Sequence, residues 1–241
     1  MDIKYKKNKK ILKYTIFSNV IIFALLIVLV VTTSTGNLNY VFNYENEEVI
    51  YNGNKSSNKV SLMINVYWGN EYIEDILNVL NKYEVKTTFF VGGTWVEKEP
   101  ELFSKIIANG HEIGNHGYFH ENHSKLTYEQ NLEEISSTHN LIKVVYNIDM
   151  NLFAPPSGAF NQATLSCVHE LGYKTIMWSK DTIDWRDHDV NLIIKRATTN
   201  IQGGDLILMH PTAETLKALP TILEYYKVNN LVADTVTNCL S

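Results

Sequence analysis

The chain has 241 residues, 45% apolar and 20% charged, the balance of an ordinary globular protein with room for one large domain. Its net charge of −5 is unevenly spread: Lys4, Lys6, Lys7, Lys9, Lys10 and Lys13 precede Tyr14 beside the single acid Asp2, which leaves 15 basic and 25 acidic residues in the rest. So acidic a body lacks the basic face of a nucleic-acid binder, and two cysteines, Cys167 and Cys239, exclude a disulfide framework and leave at most one bridge.

The first predicted element is "YTIFSNVIIFALLIVLVVTT", residues 14–33, twenty residues without a charge. As a helix it spans about 30 Å, the thickness of a bilayer's hydrocarbon core. The lysines on its N-terminal flank place residues 1–13 in the cytoplasm and the rest outside. The run is longer than the ~7–15 apolar residues of a secretory signal, and "TTSTG" is a poor cleavage site. The reading is therefore a single-pass membrane anchor. Residues 34–58 are polar, rich in Asn and Ser, without helical periodicity, and read as an extracellular stalk. Residues 59–241 form the folded domain.

Within that domain short apolar runs alternate with amphipathic ones. "VSLMINV" predicts a buried strand, and "NEYIEDILNVLNKY" a helix with Ile73, Ile76, Leu77 and Leu80 on one face. "VKTTFFVG" is a strand, "PELFSKIIANG" a helix opened by Pro100 and closed by Gly110, and "HEIGNH" a short strand. Thr127 and Gln130 form a capping box at the start of "TYEQNLEEISSTHNLIKVVY". Strands "NLFAPP", "KTIMWS" and "DLILMHP" then alternate with helices "NQATLSCVHELG", "DVNLIIKRATTNI" and "ETLKALPTILEYYKV". About seven β/α units in order predict a parallel sheet with crossover helices, closed as a barrel or open and doubly wound. Asn65, His116, Ala154, Asp181 and His210 all follow strands, where a (β/α) barrel builds its active site. No nucleotide-binding glycine motif is present.

Four stretches, "GHEIGNHGYFH", "FAPPSGAFN", "DTIDW" and "LILMHP", occur in the order and spacing of the NodB-homology polysaccharide deacetylases, carbohydrate esterase family 4. The chain resembles that family from about residue 59 to 227. The resemblance implies a distorted (β/α) barrel, a divalent metal that is often zinc, and hydrolysis of N-acetyl groups on cell-wall or chitin-like glycan. It makes His116 and His120 the metal histidines, His210 the acid that protonates the leaving amine, and Asp184 its carboxylate partner. His111 is read as structural and His123 as solvent-exposed. Trp68, Tyr118 and Pro155 are expected to line the glycan groove.

The family's other half is altered. Its first motif is commonly "TFDDG"; here it reads "MINVYWGN". Asn65 stands where the base carboxylate belongs, and Asn70, or Tyr67 under another gap placement, where the metal carboxylate belongs. The "RPP" motif reads "APP", with Ala154 in place of the arginine that orients the base. A carboxamide accepts no proton near neutral pH and is an uncharged ligand. Glu71 is the nearest carboxylate that could substitute, and it also fits an ordinary first-turn acid. The sequence thus supports a membrane-anchored extracellular deacetylase-like hydrolase of weakened mechanism, a glycan-binding pseudoenzyme of the envelope, or a structural partner of another envelope protein.

Overall fold

The computed structural model describes residues 19–24, 27 and 49–241. The cytoplasmic tail, most of the anchor 14–33 and the stalk up to residue 48 lie outside the described residues. Residues 19–24 and 27 are helical, with Val20, Ile21, Ile22, Phe23 and Ile27 exposed. No helix among the described residues is long and apolar enough to cross a membrane.

The second unit runs from Glu48 to Ser241. Its strands are β1 (Val49–Ile50), β2 (Lys59–Val66), β3 (Thr88–Val91), β4 (Glu112–Asn115), β5 (Leu152–Phe153), β6 (Lys174–Ile176), β7 (Lys180–Asp181), β8 (Leu206–Met209) and β9 (Val232–Ala233). They form one curled sheet in the order β1-β6-β5-β4-β3-β2-β8-β7, with β9 added to β2. Every strand pairing among the described residues is parallel, as in the expected barrel. The helices are α1 (Asn70–Lys82), α2 (Gly93–Lys98), α3 (Pro100–Ala108), α4 (Tyr128–Tyr146), α5 (Gln162–Glu170), α6 (Asp184–Asp187), α7 (Val190–Thr198), α8 (Ala213–Val228) and α9 (Val236–Leu240).

The sequence places Val49 and Ile50 in the stalk, whereas the structure pairs them with Thr175 and Ile176 as the edge strand β1. Beyond it, Asn52 bridges to Asp205 and the Gly53 amide donates to the Gly204 carbonyl, so this segment spans the gap between β6 and β8. A two-residue strand carries no periodicity, which is why the polar composition around it dominates the reading.

Alternation along the strands sorts the core into two clusters. The outward residues of β2 (Leu62, Ile64, Val66) and β3 (Phe89, Val91) pack against the helices, where α1 buries Ile73, Ile76, Leu77 and Leu80 as its spacing predicts. The inward residues Met63, Phe90, Leu152, Ala154, Ile176 and Leu206 fill the sheet's concave side. Helix α9 closes that side at the N-terminal ends of the strands, inserting Val236 and Cys239; the Val236 amide donates to Thr88 Oγ1 at 2.8 Å. Cys167 belongs to the outer cluster and Cys239 to the inner one, and both are free thiols. With the bottom plugged, the open end lies at the C-terminal ends of the strands.

Helix α4 starts at the expected capping box: Thr127 Oγ1 accepts from the Gln130 amide and Gln130 Oε1 accepts from the Thr127 amide. Thr127→Ala removes one of these bonds and is expected to lower stability by about 1 kcal/mol in urea unfolding, without changing the sheet.

Candidate functional site

The same period of two builds the site. Asn65 stands two residues beyond Met63, His116 two beyond Gly114, Ala154 two beyond Leu152 and His210 two beyond Leu208. Each therefore continues an inward row at the C-terminal end of its strand, Asn65 as the penultimate residue of β2 and the other three just past β4, β5 and β8. Asn65, His116 and His210 line one cavity of about 400 Å³ with Tyr67, Trp68, His120, Trp178, Asp181 and Trp185. Such a volume suits a sugar-sized ligand.

One side of the cavity is built on the pair His210 and Asp184. Asp184 is fully buried, and its Oδ1 lies 2.8 Å from His210 Nδ1. Its Oδ2 accepts from the His210 amide at 2.6 Å and the Thr215 hydroxyl at 2.6 Å, and Oδ1 also accepts from the Trp185 amide. With Nδ1 donating to the carboxylate, Nε2 is the ring atom left to meet a ligand. Trp68 stacks on this imidazole, ring centroids 5.6 Å apart and planes within 8°. Gly69 makes that stacking attainable. Its φ of 82° is left-handed, and a Cβ there would lie 2.1 Å from the Pro211 carbonyl oxygen, so only glycine lets the loop after β2 meet the loop after β8.

The opposite side is the loop that carries His116 and His120. Asn115 Nδ2 donates to the Ile135 carbonyl, and its Oδ1 accepts from the Gly117 amide. Glu134, on α4, accepts from the Tyr118 and Phe119 amides at 2.9 and 3.0 Å. These bonds hold His120 in a left-handed conformation, with its ring 5.0 Å from that of His116 and 4.8 Å from that of Tyr67. Burial holds both imidazoles below their ordinary pKa, His116 far below, with the neighbouring His120 as the next cause. His123, expected at the surface, is fully buried: its Nδ1 lies 2.7 Å from Asn131 Oδ1, and burial lowers its pKa to about 4. His111 is structural as expected, its Nδ1 accepting from the Thr87 amide.

The remaining expected residues divide. Trp68 lines the cavity, whereas Tyr118 packs beside Gly93 and Phe119, and Pro155 is buried in the loop before Ser157. Asn70 lies apart from the histidine pair. Its Oδ1 accepts from Trp95 Nε1 at 2.7 Å and its Nδ2 donates to Glu99 at 2.8 Å, which places it in a neighbouring cavity with Glu71. The residue between strand end and helix that does face His120 is Tyr67, fixed through its hydroxyl to the Phe119 carbonyl and Thr94. Glu134 went unnoticed in the sequence, although Asn131, Glu134, Ile135, Thr138 and Ile142 repeat at helical spacing and mark it as part of the buried face of α4.

A catalytic zinc needs three protein ligands and an open position. His116 and His120 supply two imidazoles, and no carboxylate occurs from Asn65 to Asn70. Among the described residues no three His, Cys, Asp or Glu side chains gather as a metal-holding group. The donor set does not fit the family's metal. What survives is an oriented imidazole, His210 on Asp184, able to donate or accept a proton at Nε2. Asp184→Asn puts N–H where the His210 amide or the Thr215 hydroxyl now donates; it is expected to cost about 3 kcal/mol in urea unfolding.

The polysaccharide deacetylase family model matches residues 52–176. The chain is 40% identical over 193 residues to YlxY, an uncharacterized protein of Bacillus subtilis, covering 80% of this chain and 60% of that one. It is 31% identical over 175 residues to a peptidoglycan-N-acetylglucosamine deacetylase of Bacillus cereus, covering 70% of this chain and 82% of the relative. Among solved structures, a CE4 family pseudoenzyme from Bacillus anthracis superposes with a TM-score of 0.78 at 35% identity, covering 81% of this chain and 69% of that one. A mutant of it described as having restored enzymatic activity superposes with a TM-score of 0.79 at 33% identity, covering 81% and 72%. The chain belongs to the polysaccharide deacetylase family, as a divergent member of the NodB-homology, carbohydrate esterase family 4 type.

Proposed function

We propose that this protein binds N-acetylated wall glycan at the cell envelope without hydrolysing it. The observation that carries this reading is the one-sided loss in the cavity. The acid pair His210–Asp184 is intact, while Asn65, Tyr67 and Ala154 occupy the places that water activation needs. Amide hydrolysis requires an activated water as well as a proton for the leaving nitrogen. Trp68, Trp178 and Trp185 still line the cavity and offer aromatic surface for sugar rings.

The similarity to a peptidoglycan deacetylase supports the choice of glycan, and the likeness to a pseudoenzyme of the same fold supports the loss of catalysis. The uncharged run 14–33 and its lysine flank support a single-pass anchor with the folded domain outside the cell. In this reading the protein works without a resident catalytic zinc.

A second reading, slow hydrolysis, is favoured by the surviving His210–Asp184 pair. Acetate release from N-acetylated peptidoglycan, measured with zinc added, separates the two. The first reading predicts no release above buffer while the protein still co-sediments with the glycan. Steady release that disappears in His210→Ala would establish the second.

A further inference from the structure

Beside the glycan cavity lies a second one of about 240 Å³, and Tyr67 and Trp68 line both. Its other walls carry charge: Glu71 in the first turn of α1, Lys98 in the last turn of α2, and Glu99 just after it. No ion pair among the described residues uses any of the three. Glu99 is also the N-cap of α3, yet its side chain makes no capping bond there. Its Oε1 accepts instead from Asn70 Nδ2 at 2.8 Å, which leaves Oε2 for a ligand. The orientation of that carboxamide is fixed, because Trp95 Nε1 lies 2.7 Å from its other end and an indole N–H only donates. Trp95 is buried in the outer core cluster, so the relay from Trp95 through Asn70 to Glu99 is anchored below the surface.

A neutral sugar gives these charges nothing to pair with. Two carboxylates suit an ammonium, and the Lys98 ammonium suits a carboxylate, each through charge-assisted hydrogen bonds. A group with ammonium and carboxylate on one carbon, the free end of an amino acid, matches all three side chains at once. Because Tyr67 and Trp68 face both cavities, one branched molecule can enter both, a sugar ring in the first and a peptide branch in the second. We propose that Glu71, Lys98 and Glu99 take a zwitterionic amino-acid end on the peptide branch of wall glycan, with Asn70 as the positioning residue for Glu99. This rests on the glycan-binding reading above and adds to it a second point of attachment and a charge requirement.

Calorimetric titration of the full chain in detergent micelles tests it with three probes. They are N-acetylglucosaminyl-N-acetylmuramyl dipeptide, the tripeptide form that adds meso-diaminopimelate, and that tripeptide form with the carboxylate of its D-centre amidated. The wild type is expected to bind the tripeptide form about tenfold more tightly than the dipeptide form, the effect of one charge-assisted hydrogen bond, and the amidated form less tightly than the tripeptide form. Glu99→Gln keeps an oxygen for Asn70, and Glu71→Gln alters an exposed side chain; each is expected to remove most of the tripeptide's gain. A gain that survives both substitutions, or equal affinity for the tripeptide and amidated forms, overturns the assignment of this cavity. Equal affinity for the dipeptide and tripeptide forms also overturns it and leaves glycan binding standing. Binding of no probe overturns both.

Discussion

A strand at the centre of a parallel sheet has one inward row, and β2 gives that row to Ser61, Met63 and Asn65. Met63 is locked at 0% exposure in the inner cluster, so Asn65 has to stand directly above it at the strand's end. A slip of one residue would turn Leu62 and Ile64 into the concave side and carry Asn65 out of the cavity. The same constraint acts on β4, β8 and the segment after β5, which bring His116, His210 and Ala154 to the same end. The site is thus a consequence of packing below it, and its chemistry depends on which side chains those few positions carry.

Those positions have not diverged evenly. The side that carries His210 keeps a buried carboxylate with four hydrogen bonds, two of them to His210. Loss of Asp184 would leave buried donors without partners, so folding itself retains it. Asn65 and Ala154 carry no such structural duty: a carboxamide and a methyl fit in their places without a charge to satisfy. Tyr67 then covers His120 with an aromatic ring. Physical chemistry therefore permits the water-activating side to be lost while the acid side persists, and the retained histidine is no sign by itself that hydrolysis is retained.

Much of the fold was legible because long elements carry strong periodicity. Helix α1 declared its buried face through Ile73, Ile76, Leu77 and Leu80, and α4 its start through Thr127 and Gln130. The order of motifs identified the family and located His116, His120, Asp184 and His210 around one cavity end. Short elements were not legible: β1 has two residues, and α2 hides behind Gly92 and Gly93. Nor were the tertiary partners. His123 looks like a surface residue in a polar loop until Asn131 is seen beside it, and Asn70 looks like a ligand until Trp95 and Glu99 claim both ends of its carboxamide.

The central claim is that this pocket has given up the metal as well as the base. Zinc uptake by the purified full chain, measured by equilibrium dialysis at micromolar free zinc, tests it directly. The account predicts no stoichiometric zinc and no difference between the wild type and His116→Ala. One equivalent of zinc on the wild type, lost in His116→Ala, would contradict it.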